Sequence, residues 1–488
     1  MSKSFPWVRC GALLALCGAL AGSAVAAEIE LNFDFSQAHA FLGVGTQVWM
    51  KGDKGGAGEG ATGGAKKRRP APPQASGDDD GDASTRLLRE LNARFVRVSM
   101  IPKITFSQLR PGMSVEQVRA VLEENDTSAQ RDRVEAFNRR MRALDIRPVL
   151  IFWRMPEPWV EIRKQRAGSK SQANYARPER IGDYVNLIVA QMSWLQRHGV
   201  QPAAVELTNE PQGAWDTQYT REDYATLVLK ARAAMDAHGL QAWPIAGPGT
   251  GIRNFDHFVG ALQSSGAVRS LGYISAHVYQ SPQMLADPAT PGVASFLGRG
   301  KFGPILITEF GVKKHNEDDD QAQSDLDVES PEYALAAAAE SVLLLGHGAG
   351  GLIYWQLQDF SWSKKPHGLL SETGQRRPVA EALKALFGAV PAGAKVVGTG
   401  RPRAELPAVA LQSGGKTYMM LVNRGAQAQQ IVARFQGGPA NCKEGVARLE
   451  AWNAARADPR TAVKASVGAD CVLRADLLPG TVATVVLP

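Results

Sequence analysis

Two stretches decide how this chain is read: Ala204-Val-Glu-Leu-Thr-Asn-Glu-Pro211 and Ile305-Leu-Ile-Thr-Glu-Phe-Gly311. In each, an apolar run of strand composition ends on a glutamate, Glu210 in the first and Glu309 in the second. A carboxylate that ends a buried strand is held by its neighbours instead of being solvated on a helix face, and such a position usually has a task. Two of them together suit acid/base and nucleophilic chemistry on a sugar.

Outward from these stretches the same pattern repeats. Extended apolar runs occur at Phe41 to Trp49, Phe95 to Ile101, Pro148 to Trp153, Ala204 to Thr208, Trp243 to Ala246, Tyr273 to His277, Ile305 to Thr308 and Gly351 to Trp355. Between the third and fourth, Ile181, Tyr184, Val185, Ile188, Val189, Met192 and Leu195 fall on one face of a helix stopped near Gly199. After the fourth, Tyr224, Leu227, Val228, Ala231 and Met235 repeat that spacing up to Gly239. Buried strands separated by helices eight times over predict an α/β protein, a (β/α)8 TIM barrel over residues 28–392, with its site at the strands' C-terminal ends. From about Arg401 the pattern changes to short strands such as Ala408-Val-Ala-Leu and Thr481-Val-Ala-Thr-Val-Val between Gly and Asn turns. Residues 393–488 therefore read as a smaller antiparallel β-sandwich domain, which the alternating strand at 28–35 can join.

Residues 1–27 read as an export signal, with Lys3 and Arg9 before an apolar stretch and a small-residue site at Ala24-Val-Ala26. Leu16 before Cys17 fits lipoprotein processing badly. No later segment reaches the ~20 apolar residues of a membrane span, so a soluble periplasmic or secreted monomer is expected. Cys442 and Cys471 then remain, and in an oxidising compartment a disulfide between them is the leading reading. The 55 basic and 48 acidic residues nearly balance, which permits an anionic polymer as substrate and gives no concentrated basic face for nucleic acid.

Several motifs fail on inspection. Lys51 to Ser84, with its glycines, the basic Lys66 to Arg69 and the acidic Asp78 to Asp82, has almost nothing to bury and is expected to be a disordered loop. Gly60 to Lys67 lacks both the leading strand and the closing Gly-Lys-Ser/Thr of a phosphate loop. Gly247-Pro-Gly-Thr-Gly251 reads as a turn, not a dinucleotide site. Glu317 to Asp320 does not keep a calcium loop's spacing, and no metal site is expected.

The glutamates stand in a chemically coherent set. Asn209 precedes Glu210, and Arg97 ends the second strand, where a buried guanidinium needs a carboxylate partner. His277 and Tyr279 end the sixth strand, while Trp153, Trp159 and Trp355 offer flat faces for sugar rings. Each residue alone has an ordinary structural explanation, but together they occupy corresponding strand ends.

Asn209-Glu210-Pro211, Thr308-Glu309-Phe310-Gly311, Arg97 and His277-Val-Tyr279 resemble the clan A retaining glycoside hydrolases over roughly residues 40 to 390. The C-terminal strands, with Leu478-Pro-Gly-Thr-Val-Ala-Thr-Val, are similar to families 39 and 30, including bacterial exopolysaccharide hydrolases; the glycine-rich stretch after the first strand departs from them. The resemblance implies Glu210 as general acid/base, kept protonated by burial and by Glu309, and Glu309 as nucleophile, kept ionised by Arg97 and Tyr279. It further implies that Asn209 holds the sugar 2-hydroxyl and that Trp355 floors the ring at the cleavage point. A polysaccharide or oligosaccharide is the partner, and no cofactor is required. The rival reading is a catalytically silent carbohydrate-binding or matrix-assembly protein on the same barrel. An exported esterase would want a Gly-x-Ser-x-Gly elbow, which is not present.

Overall fold

The computed structural model describes residues 28–50, 82–102, 104, 106–164, 172–213, 216–287, 289–290, 305–312, 326–360, 366–400, 402–437, 445–468 and 470–487. Within them eight parallel strands close into a barrel: β1 (Gly43–Gln47), β2 (Phe95–Val98), β3 (Arg147–Ile151), β4 (Ala204–Glu206), β5 (Ile245–Gly251), β6 (Tyr273–Val278), β7 (Ile305–Phe310) and β8 (Ala349–Tyr354). Neighbours in sequence are neighbours in space, and β8 closes onto β1 through the register Gly351↔Gly43 to Tyr354↔Thr46. All eight expected runs are strands of this barrel. The two expected helices span Ile181–Arg197 and Arg221–Ala237; the second is capped by Thr220, whose hydroxyl accepts from the Asp223 amide.

The barrel interior is filled at one level by Phe95, Val149, Ala204, Ala246, Leu306 and Ile353. Packing there is close enough to demand glycine at position 45, where an added Cβ would lie 2.3 Å from the Phe95 carbonyl oxygen.

Two further sheets form a sandwich. Glu28–Asp34 pairs in parallel with Gln429–Gln436 and begins a five-stranded sheet continued by Leu473–Leu477, Val463–Val467 and Gly445–Val446. The six-stranded sheet runs Arg448–Asn453, Thr481–Leu487, Lys416–Asn423, Ala408–Ser413, Lys395–Gly398 and His39–Ala40. Phe33, Ile431, Leu473, Met419, Leu421 and Val485 fill the space between them. The outer face of the six-stranded sheet is covered too, because Val409, Leu411, Met420 and Val422 join Leu343 and Leu386 of two barrel helices in one core. Burial on both faces explains why Tyr418-Met-Met-Leu-Val is a continuous apolar run instead of an alternating one. Full burial of each such side chain contributes about 1.5–3 kcal/mol.

Three details differ from the sequence reading. Gly247 to Gly251 is not a turn but the C-terminal part of β5, bulged between Pro248 and Thr250. The loop expected to reach Ser84 has ended by Asp82, whose carboxylate accepts from the Thr85 amide and caps the helix Ala83–Glu90. A three-stranded sheet that the sequence did not announce, of Val160–Lys164, Gln172–Ala176 and Thr217–Gln218, joins the segments after β3 and β4. The expected export signal, the clusters between Lys51 and Gly81, Glu317 to Asp320 and Cys442 lie outside the described residues. Among those described, no helix is long and apolar enough to cross a membrane.

Candidate active site

Arg97, on β2, lies at the centre of the polar end of the barrel with no exposed surface. A guanidinium carries five donors and no acceptor, and four of its donors are accounted for here. Nε donates to Glu206 Oε2 at 2.7 Å, Nη1 to Glu309 Oε2 at 3.0 Å and to Gln47 Oε1 at 3.2 Å, and Nη2 to Asn209 Oδ1 at 2.8 Å. Residues from β1, β2, β4 and its following loop, and β7 thus converge on one cation. Glu206 also accepts from Ser275 Oγ at 3.3 Å, on β6. The glycine-rich end of β5 makes room for it: Gly249 has φ +62, and an added Cβ would lie 2.8 Å from Glu206 Oε1.

Glu309 is inside β7, and its other oxygen accepts from the Tyr279 hydroxyl. Burial, then the charge of Glu309, holds that phenol well above its ordinary range, so Tyr279 is a donor throughout the physiological range. Glu210 lies four residues beyond β4 at φ 35. An L side chain is crowded in that region, at a cost on the order of 1–3 kcal/mol, and such backbone persists where the surrounding structure over-determines it.

His277, on β6, links the two glutamates. Its Nδ1 is 2.9 Å from Glu210 Oε1 and 3.7 Å from Glu309 Oε2. Burial would lower its pKa, but the Glu309 charge and the Glu210 hydrogen bond outweigh it and the net shift is upward. A single ligand atom from each of Glu210, His277 and Glu309 lies within 4.8 Å of the others. That convergence would suit a metal ion, but both Glu309 oxygens already accept hydrogen bonds, one of them from a fixed cation. The donor set fits proton transfer and nucleophilic attack better than cation binding.

The tryptophans divide. Trp153 lies at the barrel mouth, its ring 5.3 Å from the Arg97 guanidinium carbon. Trp355 follows β8 and meets Trp153 edge-on at 6.3 Å, 78° between planes. Trp159 is 4 % exposed and belongs to the apolar core, so it offers no face to a sugar; the short helix Glu157–Trp159 turns it inward.

Sequence reasoning missed several members. Trp49 stacks on Trp153 at 5.4 Å and 8°, and its Nε1 donates to Gln356 Oε1 at 2.7 Å. Glu206 had a visible signal, a charge inside an otherwise apolar strand four residues before Glu210, just where the arginine's partner was wanted. Gln47, Ser275 and Asp216, the last accepting from Asn209 Nδ2 at 3.2 Å, gave none.

No protein-family model and no curated protein sequence matches the chain. Solved structures do. A family 30 endoxylanase from Clostridium papyrosolvens superposes with a TM-score of 0.64 at 15% identity, over 94% of this chain and 100% of that one. The catalytic domain of family 30 xylanase C from Talaromyces cellulolyticus gives 0.62 at 12%, over 94% and 100%. A family 51 arabinofuranosidase from Xanthomonas axonopodis gives 0.58 at 13%, also over 94% and 100%. At these identities the likeness is one of fold, and it covers the barrel and the sandwich together.

Proposed function

We infer that this protein is a retaining glycoside hydrolase that cleaves a polysaccharide or oligosaccharide by double displacement. The observation that carries this reading is the approach of Glu210 and Glu309 at the ends of β4 and β7, with an oxygen of each within 4.8 Å. Carboxyls about 5 to 5.5 Å apart suit covalent catalysis, whereas an inverting pair stands about 6.5–9.5 Å apart to admit a water.

In the first step a Glu309 oxygen attacks the anomeric carbon, the glycosidic C–O bond breaks, and the leaving oxygen takes a proton from Glu210. In the second, Glu210 as carboxylate takes a proton from water, whose oxygen displaces Glu309 from the same carbon. Two inversions give retention. Arg97 and Tyr279 hold the nucleophile in one orientation, and His277, bonded to Glu210, makes that pair the store of the transferred proton. Trp153 and Trp355 supply the apolar walls a sugar ring packs against. The similar folds of xylanases and an endo-β1,6-glucanase support a carbohydrate chain as substrate. A bacterial exopolysaccharide, export through the residue 1–27 signal, a division into a barrel domain up to residue 392 and a sandwich at 393–488 that the strand at 28–35 joins, and a Cys442–Cys471 disulfide belong to the same proposal.

The test uses an activated aryl glycoside of a sugar the wild-type protein hydrolyses. Glu309→Gly should be nearly inert, while Glu210→Ala should form the glycosyl-enzyme, release it slowly, and give a glycosyl azide of retained configuration when azide is added. An azide of inverted configuration from Glu210→Ala would exchange the two roles. Undiminished binding of sugar by a wild-type protein that cleaves nothing would favour the silent carbohydrate-binding reading.

A further inference from the structure

Asp216 stands where the loop leaving Glu210 enters the strand Thr217–Gln218, and that entry is anchored: Thr217 pairs with Asn174, and its hydroxyl accepts from the Met155 amide at 2.9 Å. From there Asp216 Oδ2 accepts from Asn209 Nδ2 at 3.2 Å, while Asn209 Oδ1 accepts from Arg97 Nη2 at 2.8 Å. The amide's orientation is fixed by its neighbours. Arg97 can only donate and an ionised Asp216 can only accept, so a flipped amide would set N–H against guanidinium and oxygen against carboxylate. One N–H of Asn209 remains for a substrate hydroxyl.

We propose that Asp216 is a positioning residue of the active site: it holds Asn209 with its donor presented to the sugar, and its negative charge beside Glu210 keeps the transferable proton on the Glu210–His277 pair. This rests on the glycosidase reading and adds a third carboxylate to it. The titratable and charged groups facing Asp216 are Arg154, after β3, Glu210, on its own loop, Arg97, on β2, and Tyr184, on the helix Ile181–Arg197, which stays a neutral phenol because burial and the Asp216 charge both raise its pKa. Burial pushes Asp216 up to about 6, with Glu210 adding to the shift and the Asn209 bond, Arg154 and Arg97 opposing it. The charge that assists the acid is therefore present at neutral pH and absent in mild acid.

Two variants of the full chain separate the roles. Asp216→Asn keeps an oxygen for Asn209 and removes the charge; Asp216→Ala removes both. With aryl glycosides carrying a poor and a good leaving group, Asp216→Asn should move the alkaline limb of kcat/KM to lower pH and slow the poor leaving group several-fold while leaving KM nearly unchanged. Asp216→Ala should show the same limb and a raised KM. Wild-type limbs in both variants would overturn the proposal and leave Asp216 a structural residue. A second readout needs no catalysis: the melting temperature of Asp216→Asn should gain on wild type as pH rises from about 4 to about 6, because only the wild type must bury that charge. Equal curves overturn the electrostatic link even if no glycoside is cleaved by any form, an outcome that by itself refutes the glycosidase reading instead.

Discussion

Arg97 makes its shortest bond not with Glu309 but with Glu206, Nε to Oε2 at 2.7 Å against 3.0 Å for Nη1 to Glu309 Oε2. One buried cation therefore serves two carboxylates, of which Glu309 is the more exposed, its side chain 11% accessible against 2% for Glu206. Glu206 anchors the guanidinium from below, so its remaining donors are aimed at Glu309, Asn209 and Gln47. Such a cluster is stable only while complete, because a carboxylate left alone in the interior keeps its desolvation cost without its partner.

Replacing Arg97 with Met should consequently cost about 3–5 kcal/mol in denaturant unfolding. Any folded fraction should have much lower activity, since the donor that orients Glu309 Oε2 is gone. Wild-type activity in the folded variant would reduce Arg97 to a structural role.

His277 gives a pH-dependent stability of definite sign. Its folded pKa is raised above the ordinary 6.5, so its contribution is fully present below that pH and is lost as pH rises through the folded value. Wild type should exceed His277→Gln in melting temperature most in mild acid, and the gap should narrow toward alkaline pH. A gap that widens with pH would mean that the imidazole is neutral between the glutamates.

Trp159 and Trp355 should fail differently. Truncating buried Trp159 to Ala should destabilise by about 3–5 kcal/mol. Trp355→Ala should leave melting nearly intact and raise KM. Calorimetry paired with kinetics on both variants checks the division, and a large loss of stability without a KM change at Trp355 would return it to the core.

If Cys442 and Cys471 pair, Cys442→Ser should lower stability by about 2 to 4 kcal/mol under oxidising conditions and change nothing under reduction. Mass spectrometry of the non-reduced protein decides the pairing directly; free thiols at both positions would remove it.

Local chemistry announced the barrel because its strands are short apolar runs that must be buried on both faces, and the helices between them carry apolar stripes of period 3.6. The same logic marked Glu210, Glu309, Arg97, His277 and Tyr279, since polar groups at the ends of buried strands are dear to place there. Tertiary structure decided the rest. Which carboxylate meets the arginine depends on register between strands more than 100 residues apart, which no window of sequence contains. Whether a tryptophan lies at the barrel mouth or in the core depends on what packs around it, so Trp159, expected at the site, is core, while Trp49, given no role by the sequence reading, stacks on Trp153. Asp216 reached the site only because a strand after β4 pairs with one after β3, a contact set by the closure of the whole barrel and invisible in the loop's own residues.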